Sequence, residues 1–188
     1  MIETLSQIWV REMRYRWSSL RHRNSPKSID DHLYETIKGY IPSTVEDISG
    51  VSKEVHNRFV YTNDGVDRLY DSIDTPASCL GRAFINPPLR DDCDGFHSAL
   101  YGLVNYNFRC SLLTVVTEDI KSSHTMLFIL DDGVDRFFYV DYTYVSGMFT
   151  IAKDLMDDIK DRRYRSVGVM YHELSFWDGR SWVSDDLI

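Results

Sequence analysis

Residues 91–105 read Asp91-Asp92-Cys93-Asp94-Gly95-Phe96-His97-Ser98-Ala99-Leu100-Tyr101-Gly102-Leu103-Val104-Asn105, and this stretch decides the fold. Asp91 and Asp92 carry short side chains that accept hydrogen bonds from a helix's first amides, so a helix is expected from Cys93 to about Asn105. Phe96, Leu100, Leu103 and Val104 give that helix an apolar stripe. A thiol at a helix start lies against unpaired N–H groups and the positive end of the dipole. Both favour a thiolate and supply half of an oxyanion hole. The carboxylates of Asp91, Asp92 and Asp94 act the other way, because nearby negative charge raises a thiol's pKa.

Downstream of this helix the chain alternates in the manner of strands. Residues 108–116, 124–130 and 136–142 are three expected strands, the last two joined by a loop at 131–134. A helix is expected over 151–163. A final hairpin joins 167–176 to Trp182-Val183 around Asp178-Gly179. Upstream, residues 3–20 carry Leu5, Ile8, Trp9, Met13 and Trp17 at helical spacing, and Asn24-Ser25-Pro26 breaks the chain. Further helices are expected from Asp30-Asp31 to Lys38 and over 44–58, the second capped by Ser43 or Thr44. A short strand at Val60-Tyr61 and a helical turn at 67–72 follow. Pro76, Gly81, Pro87 and Pro88 make 73–92 read mostly as loop. The class is α+β: N-terminal helices and a nucleophile-bearing helix packed on an antiparallel sheet. A helical region at 1–58 and a core at 59–188 are expected within one compact domain, which suits 188 residues.

The base for such a thiol should stand on a rigid element facing the helix start. His124 heads one expected strand and Asp141 ends the next. A four-residue loop at 131–134 pairs Leu130 with Asp135, and counting outward sets His124 directly opposite Asp141. Opposed residues share a sheet face, so the carboxylate can orient the imidazole and stabilise its cation. Cys93, His124 and Asp141 are therefore the candidate catalytic residues.

Three motifs carry a family resemblance. The run Asp92-Cys93-Asp94-Gly95-Phe96 before a helix resembles the nucleophile motif of the transglutaminase-like superfamily, whose core is papain-like. Ser123-His124-Thr125 before an apolar strand, and Tyr139-Val140-Asp141-Tyr142-Thr143 on the next, are similar to its His and Asp motifs. The order and the gaps, 31 positions from Cys93 to His124 and 17 from His124 to Asp141, resemble those of compact microbial members. Asp74-Thr75-Pro76 is similar to the bacterial transglutaminase-like cysteine proteinases. The resemblance covers about residues 59–145. It implies acyl transfer through a thioester on Cys93, acting on a protein or peptide substrate as a protease, an amidase or an acyltransferase, with no cofactor. It also implies a side chain completing the oxyanion hole upstream of Cys93, for which Asn86 and Tyr70 are the candidates.

Composition bounds the alternatives. Hydrophobic residues are 43% and charged residues 27%, ordinary for a globular protein. No run approaches the roughly 18 apolar residues of a membrane span. The first residues carry an early Glu3 and no long apolar run, so a signal peptide is not expected. Three cysteines without CxxC spacing fit a reducing cytoplasm. A net charge of −8 argues against a chain-wide nucleic-acid role, although residues 11–27 hold six basic residues against Glu12 alone. Cys93, His97, Cys110 and His124 could be assembled into a tetrahedral metal set, but no second local pair supports one, and no metal is expected. The competing class is a binding module of the same fold, with weak or no catalysis, presenting the basic segment and Trp177 and Trp182.

Overall fold

The computed structural model describes residues 23–62, 73–119, 122–131 and 135–185. The helix expected at 3–20 and the turn expected at 67–72 lie outside the described residues. Helix α1 (Asp31–Ile37) begins where the Asp30 carboxylate accepts from the Leu33 N–H at 2.8 Å, and it buries Leu33 and Ile37, one turn apart. Helix α2 (Asp47–Asn57) buries Ile48, Val51 and Val55. Its start is held by Asp47 itself, whose carboxylate accepts from the N–H groups of Ser43 (3.0 Å) and Thr44 (2.8 Å).

Strand β1 (Phe59–Tyr61) pairs in parallel with β2 (Leu89–Asp91), the strand that leads into Cys93. The intervening stretch differs from the loop expected at 73–92. Helix α3 (Pro76–Leu80) runs on into a π-helical turn, Gly81–Ile85. Thr75 Oγ1 accepts from the Ser78 N–H at 3.1 Å, and Pro76 sits in the first turn, where its missing N–H costs nothing. Proline here starts a helix; it does not break one.

Helix α4 (Cys93–Val104) is buried at every position from Asp94 to Val104. A helix buried on every side, its polar Asp94, His97 and Ser98 included, lies inside the core. Leu33, Ile37, Ile48, Val51 and Val55 from α1 and α2 share one cluster with Leu100, Leu103 and Val104, and with Leu112, Leu127, Ile129, Phe138 and Val140 of the sheet. The five aliphatics from α1 and α2 alone represent on the order of 10 kcal/mol of transfer free energy. Residues on both sides of position 58 therefore share one hydrophobic cluster. Gly102 permits the closest approach of α3 to α4: a Cβ there would lie 2.6 Å from Leu80 Cδ1 and 3.1 Å from Pro76 Cβ.

The sheet comprises β3 (Arg109–Thr117), β4 (His124–Asp131), β5 (Arg136–Asp141), β6 (Tyr144–Val145), β7 (Val169–Trp177) and β8 (Trp182–Asp185), in the order β6-β5-β4-β3-β7-β8. Every pair is antiparallel. Helices α1–α4 cover one face. Helix α5 (Ala152–Arg163) covers the other with Leu155, Met156 and Ile159, against Leu113, Val115, Met126, Phe128 and Tyr139. Cover on both faces explains why β3 and β4 read as near-continuous apolar runs. Trp182 is buried against Tyr101, ring centroids 5.0 Å apart, and donates from Nε1 to the Asp74 carbonyl at 3.0 Å. The Trp177 N–H donates to Tyr101 Oη at 3.1 Å. The final hairpin is thus fastened to α4 and α3, and Trp182 is a core residue. No helix among the described residues is long and apolar enough to cross a membrane.

Candidate active site

Of the three cysteines, Cys79 and Cys110 are buried and Cys93 is partly exposed. Burial pushes the Cys79 and Cys110 thiols up, away from reactivity. Cys93 opens α4, with Asp92 as the cap whose carboxylate accepts from the Asp94 N–H at 3.2 Å.

Asp91, two positions before the thiol, is engaged elsewhere. Asp91 forms an ion pair with Arg82 Nη2 at 2.8 Å and accepts from the Asp92 N–H at 3.0 Å. Its carboxylate lies over Gly95, where a Cβ would come within 2.2 Å of Asp91 Cγ, so only glycine fits. Arg82 Nη2 also meets Asp74 Oδ2 at 2.7 Å. Asp74 accepts from the Thr75 N–H and Ser78 Oγ, both at 2.7 Å, and its carbonyl accepts from Ser98 Oγ at 2.8 Å. The Asp74-Thr75-Pro76 motif is therefore a junction of α3, α4 and β8, held through Arg82 to the helix that carries Cys93. Asp91, Asp92 and Asp94 each place a carboxylate oxygen within 4.8 Å of the others. Arg82 already supplies a positive charge to that group.

The hairpin carrying the other two residues is paired two residues away from the expected register. Asp131 pairs with Arg136, Leu130 with Phe137 and Leu127 with Val140. Asp135 has φ +50° and belongs to the turn, a conformation that aspartate tolerates, so it is not available to pair with Leu130. Continuing this register sets Asp141 opposite Met126, with His124 on the diagonal. A slip of two preserves the sheet face. Diagonal neighbours stand about 7–8 Å apart, within reach of an imidazole. His124 Nε2 and Asp141 Oδ1 are 2.8 Å apart.

Asp141 has a second partner that the sequence reading missed. Arg163, the last residue of α5, donates from Nε to Asp141 Oδ2 at 2.5 Å and from Nη2 to Oδ1 at 2.8 Å. Burial pushes the Asp141 carboxyl up, but the hydrogen bonds from His124 and Arg163 outweigh it and hold the group well below the usual carboxylate range. An ionised carboxylate only accepts, so His124 Nε2 carries the proton and Nδ1 is the basic nitrogen. Burial lowers the His124 pKa, against the raising influence of Asp141. His124 is therefore neutral at neutral pH.

His97 links the thiol's helix to this group. Its Nδ1 donates to the Cys93 carbonyl at 2.6 Å, and its Nε2 accepts from the Tyr142 N–H at 3.1 Å. Both nitrogens are occupied by backbone, which removes His97 from any metal set. Burial, then His124, push its pKa down to about 3. Its ring stands edge-on to His124, centroids 5.8 Å apart. Tyr142, next to Asp141, has φ +50°. Its carbonyl accepts from Ser52 Oγ of α2, and its ring packs 4.9 Å from Phe96 and 5.6 Å from His124. A non-glycine residue in this conformation persists when its surroundings over-determine it, and such residues gather at functional sites. Burial, and then the nearby Cys93, push the Tyr142 phenol's pKa up.

His124 and Asp141 are thus joined directly, and Cys93 is tied to them through His97 and Tyr142. Asn86 is exposed at the end of the π-helical turn, its N–H bonded to the Gly81 carbonyl, and among the described residues it makes no bond to Cys93. Tyr70 lies outside the described residues. No family model matches the chain, and no curated protein matches it.

Proposed function

We propose that the protein is a transglutaminase-like cysteine acyltransferase or amidase, acting on an amide or ester carbonyl of a protein or peptide substrate through Cys93, His124 and Asp141. The observation that carries this reading is the 2.8 Å His124–Asp141 hydrogen bond, formed beside the start of the helix that presents the one accessible thiol. A carboxylate held ionised fixes the imidazole tautomer and stabilises the cation that forms during reaction. His124 Nδ1 takes the thiol proton as sulfur attacks the carbonyl carbon, and returns it to the leaving group. The resulting thioester passes to water or to an amine. Arg82 pairs with both Asp91 and Asp74 and offsets one of their two negative charges, which lessens the local opposition to a thiolate.

Treatment with p-nitrophenyl acetate tests this reading. Intact-mass measurement is expected to find one acetyl group on Cys93, removable by hydroxylamine, with none on Cys93→Ala. Asp141→Asn is expected to slow acetylation by about 100-fold. Wild-type protein that acquires no acetyl group on Cys93 would favour the binding-module reading instead.

A further inference from the structure

His97 lies one turn after Cys93 on α4 and is fully buried. A position that only had to fill space in this core would suit leucine, because a buried imidazole is tolerated only with its nitrogens bonded. Both are bonded here. The Tyr142 backbone N–H can only donate, so Nε2 accepts from it at 3.1 Å. The ring proton therefore sits on Nδ1, which donates to the Cys93 carbonyl at 2.6 Å. In a helix that carbonyl already accepts from the amide four residues on, and its second lone pair takes the ring. The imidazole bond is thus additional to what the helix needs. One rigid ring spans from the residue that bears the thiol to the residue that follows Asp141.

The far end of this span is held as firmly as the near end. Tyr142 has φ +50°, a conformation that a bulky residue rarely adopts. His97 fixes its N–H, and its carbonyl accepts from Ser52 Oγ, itself fully buried on α2. With either bond lost, the backbone is freer to relax toward negative φ. That rotation changes the direction in which Asp141 meets the chain, and Asp141 Oδ1 holds His124 Nε2 at 2.8 Å. It also swings the Tyr142 ring, which packs 5.6 Å from the His124 ring.

We propose that His97 is a positioning residue that sets the approach of His124 to Cys93, with Ser52 as its counterpart on the other side of Tyr142. This role rests on the acyl-transfer reading above. In that reaction the thiol proton passes to His124 Nδ1 as sulfur bonds to the carbonyl carbon, so the two groups must come within hydrogen-bond reach. His97 takes no part in the proton's path. It ties together the two backbones that carry the thiol and the orienting carboxylate.

A double-mutant cycle tests this, with nitrophenolate release from p-nitrophenyl acetate as the rate and intact mass to confirm acetylation of Cys93. His97→Asn, whose shorter side chain cannot bridge to Tyr142, is expected to slow acetylation by about 10- to 100-fold. Added to His124→Ala, the same change is expected to alter the rate by less than about 2-fold, because the base that it positions is already gone. A ring that merely supports the fold would slow both backgrounds by the same factor, and that result would overturn the role. An unchanged rate in His97→Asn would overturn it equally. Should His97→Asn fail to fold, Ser52→Ala enters the same cycle and is judged by the same two criteria. Wild type that reacts no faster than Cys93→Ala or His124→Ala would sink the acyl-transfer reading itself, and this role with it.

Discussion

At the scale of single residues, Cys93, His124 and Asp141 were legible because each carries a local signal. Cys93 follows a capping aspartate, and the other two flank a hairpin turn. Arg163 carried none. In the sequence it is a basic residue in the last turn of a helix, where cations are common for the sake of the helix dipole alone. Its pairing with Asp141 spans 22 positions and depends on how α5 crosses the sheet. Under the proposed reaction, Arg163 acts through Asp141 as a positioning residue. Its side chain is 37% exposed, so solvent screens part of the interaction, and Arg163→Met is expected to lower stability by only about 1 kcal/mol. The same change should slow acetylation of Cys93 by about 10-fold, because a carboxylate with one partner holds the imidazole less firmly. Arg163→Lys should recover stability more than rate, since an ammonium cannot reproduce the two-pronged contact. Urea melts and nitrophenolate release measure the two effects separately.

At the scale of elements, most boundaries followed from caps and periodicity. α1 starts after Asp30, and α4 starts at Cys93 after Asp92. The misreadings have physical causes. α3 begins with Thr75-Pro76, a cap followed by a first-turn proline, but Gly81 and the later prolines made the whole stretch look irregular. The hairpin register slipped by two because backbone conformation, not loop length, put Asp135 in the turn. The elements also set a pH dependence. His97 joins α4 to the turn after β5 as a neutral ring, with its pKa pushed down to about 3. An unfolded histidine titrates near 6.5, so below that pH the unfolded chain binds a proton that the folded chain refuses. Stability is full above about pH 6.5 and falls as pH drops toward about 3. His124 and His172, also lowered, act with the same sign. Asp141, held low, adds a loss that begins only near pH 4. His97→Gln is expected to be less stable at pH 7.5 yet to lose less between pH 6.5 and pH 4.5. Urea midpoints at those three pH values would show the shallower slope. An unchanged slope would deny His97 its buried neutral state.

At the scale of the whole molecule, the α+β class with an antiparallel sheet could be read from the order of helices and alternating strands. The strand order and the two-sided cover could not, because they depend on where β7 inserts beside β3 and on which face α5 crosses. That arrangement brings three separate parts of the chain to one place: the start of α4, the β4–β5 hairpin and the end of α5. The central claim is that their meeting makes Cys93 a nucleophile served by His124. Low-concentration iodoacetamide at pH 7, with each cysteine followed by peptide mass, tests it most directly. Cys93 is expected to label at least about 10-fold faster than the same cysteine in the urea-unfolded chain, with Cys79 and Cys110 protected by burial. The excess should vanish in His124→Ala. Labelling of Cys93 at the unfolded rate, indifferent to His124, would contradict the account.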